Sequence, residues 1–442
     1  MSTPHVVVVG AGFAGLVAAR ELQMAGIDVE IVEARERIGG RAWTQERMGR
    51  PLELGATWVH WMQPHVWSEI TRYGQGIHPS PYTDRAYWVT GGEVRSGTEA
   101  ELDAALARPM AKIFERSAEY FPNPHDPLHI LSDAYRGPAE LREQFLADDA
   151  AGVLECLRGG DFTQEEIDLC DGYWSAGYIG DPSQASSLMA KQWVALSDNR
   201  LPLLDEQTLR FKLVDGMRGI YENIAADLRC PLRLSTPVTA IEHLTSSAVV
   251  TLEGGERIPC DAVVVTVPLG ALDTIEFTPA LPPSMRSVVD QKWNSTGCKI
   301  WIKVKGHHSI IGYAPTPAKV AVFRSEYFMD DGTTICVGFG SHHDRVDLED
   351  PASGQEIVNQ WRPDLEVLDC TGHDWVADRW SGQAWATLKK GQFTNGWHHF
   401  RETDTRLHFA GADWASGWRG VVVDGAIETG LSTARKVIRE LA

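Results

Sequence analysis

Four valines at residues 6–9 run directly into Gly10-Ala11-Gly12-Phe13-Ala14-Gly15, and this junction limits the possible folds more than any other part of the chain. An unbroken β-branched run fits a strand buried on both faces of a parallel sheet. The residues that follow, to position 24, read as a helix, and a second strand is expected near residues 29–33. Glycine spacing alone says little. Here it follows a strand, opens a helix and has an acid, Glu33, eighteen residues past Gly15, the context of a dinucleotide-binding turn. Gly10 would make the tight turn, Gly12 would let backbone approach a pyrophosphate, and Gly15 would let helix and strand pack closely. Phe13 and Ala14 begin a helix whose free N–H groups favour phosphate. Glu33 would accept hydrogen bonds from ribose hydroxyls and repel a 2′-phosphate. The pattern does not separate NAD from FAD, and a glycine-rich turn without a ligand is the plain alternative.

At roughly 150 residues per domain, 442 residues suggest two or three domains. The net charge of −19 disfavours nucleic acid and anionic membrane surfaces as partners and favours cationic ligands. Seven cysteines with no CxxC pair and no cluster of metal-ligand spacing argue against a disulfide framework or a metal site. The apolar stretch at residues 6–19 has no basic residue before it and is broken by glycines, so it is not read as a signal peptide. Apart from this glycine-broken stretch, no uncharged run reaches 18 residues, and a cytoplasmic protein with no membrane partner is expected.

Directly after Glu33 come Ala34-Arg35-Glu36-Arg37-Ile38-Gly39-Gly40-Arg41, a second glycine loop with three arginines. A guanidinium can grip a pyrophosphate with two parallel bonds, which makes Arg41 beside Gly40 a second clamp. Taken individually, Arg35 and Arg37 read equally well as solvated charges. This segment resembles the flavin-containing amine oxidase family, and the resemblance extends along nearly the whole chain. It includes Leu54-Gly55-Ala56-Thr57-Trp58-Val59-His60, Thr236-Pro237-Val238, the apolar run at residues 263–267 with Pro268-Leu269-Gly270, Leu407-His408-Phe409-Ala410-Gly411-Ala412-Asp413, and Asp424-Gly425-Ala426-Ile427-Glu428-Thr429-Gly430. The resemblance implies that Gly55, Ala56 and Thr57 run along the flavin. It also implies that Val238 meets the adenine end through its backbone, that Gly411 and Asp413 lie near the ribityl chain, and that a helix beginning at Asp424 points its N-terminus at the pyrimidine, with Val423 beside the cofactor.

The expected fold class is α/β: a discontinuous, Rossmann-like FAD-binding domain with an α+β substrate-binding domain. The FAD-binding domain would comprise residues 1–75, 215–280 and 405–442. The substrate domain would comprise a mostly helical insertion, 76–214, and a sheet-rich one, 281–404. Leu102, Leu106, Met110 and Ile113 recur at helical spacing in the first, while Ile300, Ile302 and Val304 alternate with Lys299, Trp301 and Lys303 in the second.

Hydride transfer from an amine needs a substrate carbon held against the flavin, a free nitrogen lone pair and a dry pocket. Lowering an amine pKa by two units costs roughly 2.7 kcal/mol, within what burial supplies. Aromatic faces oppose this by stabilising the ammonium by about 0.5 to 2 kcal/mol. In Ser381-Gly382-Gln383-Ala384-Trp385 the resemblance places Ala384 where mitochondrial monoamine oxidases have a flavin-linked cysteine, so noncovalent FAD is expected. Trp385 then becomes one wall of an aromatic cage, against the alternative of a core tryptophan. The opposite wall departs from the family pattern: either Trp418 supplies it through a shifted loop, or Val422 faces Trp385 and the cage is one-sided. Lys299 matches the lysine that holds a water at flavin N5 and assists reaction with oxygen; read from alternation alone it is a solvated strand residue. Trp58 and His60 are expected to face the pocket, with a structural histidine the alternative for His60.

Together these features imply FAD-dependent oxidation of a small primary or secondary amine to an imine, with O2 as acceptor and H2O2 released. The stretch around Gly177-Tyr178-Ile179-Gly180-Asp181-Pro182-Ser183 resembles bacterial 6-hydroxynicotine oxidases, pointing to a cyclic or heteroaromatic amine; a polyamine oxidase is the alternative. No arginine stands in the flavin-facing loop to bind a substrate carboxylate, which disfavours an amino acid oxidase. A non-catalytic FAD-binding protein and an NAD-linked dehydrogenase are the readings of other classes, and a homodimer is left open.

Overall fold

The valine run forms the strand His5–Val9 at the centre of a five-stranded sheet, in the order Leu232–Arg233, Asp28–Val32, His5–Val9, Ala262–Val265, Leu407–Phe409. The structure is a computed structural model and describes residues 3–420 and 423–442. Every pair in this sheet is parallel. Val6, Val7 and Val8 are fully buried because helices or further sheet cover both faces. The helix Phe13–Met24 lies on one side, and the C-terminal helix Val423–Leu441 packs along it. Their approach is close: a Cβ at Gly430 would stand 2.7 Å from the Ala14 carbonyl oxygen. The sheet therefore takes strands from three separated stretches of sequence.

A four-stranded sheet, in the order Arg257–Cys260, Ala248–Leu252, Val238–His243, Glu276–Thr278, connects two of these strands and delivers Val238 to the same end as Glu33. The remaining large element is a seven-stranded sheet: Val367–Gly372, Cys298–Lys305, Thr333–Gly340, Val322–Phe328, Ile310–Tyr313, Arg85–Thr90, Glu93–Gly97. Its last two strands come from the first insertion, whose other elements are mainly helices. Alternating residues 85–90 lead into Gly91-Gly92, both at positive φ, a pair that closes a tight hairpin. The helices of that insertion begin as their chemistry dictates. Thr98 with Glu101 and Thr163 with Glu166 form reciprocal capping boxes at the starts of Glu99–Ile113 and Gln164–Tyr178. The helix Ser187–Leu196 is buried along its whole length. Among the described residues, no helix is long and apolar enough to cross a membrane, and no group of three metal-ligating side chains occurs.

Candidate active site

One continuous cavity runs from the end of the parallel sheet to the face of the seven-stranded sheet. At its first end Val9 passes into Gly10, at φ +108°, where a Cβ would lie 2.4 Å from the Thr266 hydroxyl. Gly12 precedes the helix with no side-chain cap, and there is no acid in the first turn, so that turn's N–H groups are left for a ligand. The loop after Glu33 folds back against this turn: the Gly39 N–H donates to the Ala11 carbonyl at 2.9 Å, and Gly12 and Gly40 face one another. Gly10, Gly12, Phe13, Ala14, Gly40, Gly55, Ala56, Thr57, Val238, Gly411 and Val423 all line the cavity. Gly15 does not. Its role is packing, since a Cβ there would meet the Gly10 carbonyl oxygen at 2.0 Å.

Glu33 lines the cavity with Ala34 and Arg35 while its carboxylate accepts from the Ala11 N–H at 2.7 Å and the Arg35 N–H at 2.8 Å. Burial pushes its pKa up against those two hydrogen bonds and the arginine charges. Each oxygen keeps a second lone pair for a ribose hydroxyl. Arg35 is not a solvated charge: it grips Asp378 through two bonds of 2.7 and 2.9 Å.

Two expectations change together at the next position. Arg41 lines the cavity, but its guanidinium donates to Asp413 Oδ1 at 2.5 Å and to the Ala384 carbonyl at 2.9 Å. Asp413 does not face the cavity. It is wholly buried and also accepts from Trp293 Nε1 at 2.9 Å, Gln383 Nε2 at 2.7 Å and the Leu269 N–H at 3.2 Å. Burial would raise its pKa, but the Arg41 charge and these donors hold it below the usual value. Asp413 is thus an anchor that carries Arg41 on the cavity wall.

At the far end Lys299, Trp58 and Trp385 line the cavity. Lys299 is 4% exposed, and its Nζ donates to the Glu53 carbonyl at 2.8 Å, the Gly55 carbonyl at 3.0 Å and Thr57 Oγ1 at 2.5 Å. In the ammonium form these acceptors take all three protons, so a water at Nζ must share one of them. Burial lowers its pKa to about 7, against the raising effect of Glu53. Trp58 is fixed by its Nε1 donating to Ser80 Oγ at 3.1 Å. Trp385 packs on Phe339 with ring centres 6.2 Å apart, and its indole N–H is buried without a partner.

Two expected pocket residues lie elsewhere. His60 is completely buried and off the cavity: its Nε2 meets Glu206 at 3.1 Å, its Nδ1 accepts from the Met62 N–H at 3.1 Å, and its ring stacks on Trp61. The chain turns after the two-residue strand Trp58–Val59, which sends Trp58 and His60 to different surroundings. Trp418 is also wholly buried and absent from the lining, so it does not form the second aromatic wall. Val422 lies outside the described residues.

Sequence reasoning missed Tyr173, Trp193, Tyr313, Phe339 and Arg324, which line the far end. Register explains the last three. Lys299, Phe339, Val322 and Tyr313 pair across the seven-stranded sheet in one row, and Trp301, Val337, Arg324 and Ile311 form the next row on the same face.

The cradle fits FAD on three counts: backbone approachable only because of glycine, a buried acid with free lone pairs, and an aromatic chamber whose wall includes an unpartnered indole N–H and a buried lysine. The family described as flavin containing amine oxidoreductase matches residues 13–438. Similar proteins include a pseudooxynicotine dehydrogenase from a Pseudomonas species, 31% identical over 98% of this chain and 85% of the relative. A nicotine dehydrogenase from Pseudomonas putida is 30% identical over 98% and 88%. An (S)-6-hydroxynicotine oxidase from Paenarthrobacter nicotinovorans is 29% identical over 96% of each chain. Among solved structures, putrescine oxidase bound to putrescine superposes with a TM-score of 0.83 at 21% identity over 99% of both chains. Cyclohexylamine oxidase from Brevibacterium oxydans superposes with a TM-score of 0.79 at 21% identity over 100% of both. With its parallel sheet, its glycine cradle and a match over almost its full length, the chain belongs to the flavin-containing amine oxidoreductase family, whose cofactor is FAD.

Proposed function

We propose that this chain oxidises an apolar, aromatic or cyclic amine at the carbon beside nitrogen, giving an imine that hydrolyses in solution. The observation that carries the reading is the continuity of the cavity: the glycine cradle with Glu33 and the aromatic chamber with Lys299 and Trp385 share one space. FAD held there would supply the hydride acceptor and the link to O2, whose two-electron reduction gives H2O2.

The residues prepare the substrate. Trp58, Phe339, Trp385, Tyr173 and Trp193 make the chamber apolar, which lowers the pKa of a bound amine and exposes its lone pair. Trp385 and Phe339 orient the substrate by contact, and no side-chain base is required. Lys299 sits behind Gly55 and Thr57, and its charge, when present, favours electron transfer to oxygen. Ala384 and the remaining lining residues include no cysteine or histidine, which supports noncovalent FAD. The names of the nicotine-related relatives support a heteroaromatic amine, and Arg41, Asp413, Glu33 and Val238 are assigned to holding the cofactor end in shape.

The test is anaerobic. An amine of this class should bleach the flavin band of the purified protein, air should restore it with peroxide release, and denaturation should free the flavin. A yellow protein that no amine bleaches contradicts the reading.

A further inference from the structure

A buried cation on the chamber wall is used by none of this chemistry. Arg324 lines the cavity at 9% exposure, one row along the sheet from Lys299 and two strands away. Strand spacings put the two Cα atoms about 12 Å apart. Among the described residues its guanidinium is poorly partnered. One terminal nitrogen donates to the Pro81 carbonyl at a long 3.4 Å, and Nε lies 3.4 Å from Glu326 Oε2 without a hydrogen bond, both atoms buried and unsatisfied. A guanidinium has five donors in a fixed fork, and leaving them unmet in an apolar wall is costly. We propose that Arg324 is a specificity residue that donates to a neutral hydrogen-bond acceptor, such as a ketone oxygen, at the end of the substrate away from the reacting amine. This rests on the amine oxidoreductase reading above.

Charge decides between a neutral acceptor and a carboxylate. Two acids already stand against two cations here: Glu326, 1% exposed, lies beside the Arg324 guanidinium and also takes the Lys212 ammonium and the Ser80 hydroxyl. Asp205 stands at the same end, accepting from the Tyr173 hydroxyl at 2.6 Å, with Tyr173 on the cavity wall. A substrate carboxylate would add an unmatched negative charge to this set. A ketone satisfies the free donors without that charge.

The holoenzyme is titrated by calorimetry with three unreactive probes of one shape: acetophenone, ethylbenzene and benzoate. The wild type should bind acetophenone at least tenfold tighter than ethylbenzene and no more weakly than benzoate, and Arg324→Met should abolish the preference for the ketone. Arg324→Lys keeps a cation beside Glu326 but loses the fork, so a reduced preference in that variant carries the test if Arg324→Met does not fold. Equal or undetectable binding of ketone and hydrocarbon, a preference that survives both variants, or tighter binding of benzoate overturns the proposal. Amine bleaching is measured on the same preparation. Bleaching without ketone preference sinks the Arg324 assignment alone, and ketone preference without bleaching sinks the amine reading alone.

Discussion

Lys299 and Glu53 are joined through main chain rather than as an ion pair: the lysine Nζ donates to the Glu53 carbonyl oxygen at 2.8 Å, while the Glu53 carboxylate accepts from the Met217 N–H at 2.8 Å and Thr44 Oγ1 at 2.9 Å. Burial pushes the Glu53 carboxyl up to about 6 and the Lys299 amine down to about 7. The lysine charge is therefore set by pH in the range where the protein would work. Below pH 7 the ammonium predominates, and above it the neutral amine does. If the charge assists electron transfer to oxygen, the rate at which colour returns in air should fall as pH rises through about 7. Stopped-flow mixing of reduced protein with aerated buffer across pH 6 to 8, chosen as about one unit on either side, measures this. The step should be absent in Lys299→Met, and an unchanged step there would assign it to another group.

The same variant separates two half-reactions. Lys299→Met should slow reoxidation by about tenfold or more, on the scale of one lost electrostatic contact, and slow anaerobic bleaching much less. Equal slowing of both would mean that Lys299 shapes the chamber and does not act on oxygen.

Trp385 stands on the chamber wall with the Phe339 ring tilted against it. Trp385→Ala should bind FAD normally, judged by the flavin to protein absorbance ratio, yet be reduced roughly tenfold more slowly, because a loosely held amine loses its alignment. Normal reduction would place the substrate elsewhere.

Gly15 tests the packing of the nucleotide turn apart from ligand contact. Its Cβ position is 2.0 Å from the Gly10 carbonyl. Gly15→Ala should cost about 1 to 3 kcal/mol, the usual range for overpacking, seen as a lower Tm in protein stripped of flavin. An unchanged Tm would show that the turn yields easily.

The nucleotide end was legible in the sequence because each residue there answers a backbone demand: a positive φ at Gly10, close contact at Gly12 and Gly15, and a single acid at the end of the next strand. Placing Lys299 needed the family resemblance, since alternation alone describes both faces of its strand as one buried and one wet, whereas both are buried here. His60 was misplaced because its surroundings depend on a turn two residues after Trp58. For the second wall, Trp418 and Val422 stay open alternatives in the sequence, because a motif one residue out of register says nothing of side-chain direction. Arg324 left no signal: an arginine and a glutamate two apart on a strand read as a solvent face, and only pairing with neighbouring strands turns that face inward. The hairpin of residues 85–97 is marked in the sequence by its Gly-Gly turn, a shorter signal than the helical pattern that follows it.

The central claim, that this chain removes hydride from the carbon beside an amine nitrogen, is tested most directly by anaerobic rapid mixing with an aromatic amine and with the same amine deuterated at that carbon. The account predicts saturable bleaching of the flavin band that is several-fold slower with deuterium. Bleaching at equal rates would show that breaking this bond does not limit reduction, and a flavin band untouched by either amine would contradict the account.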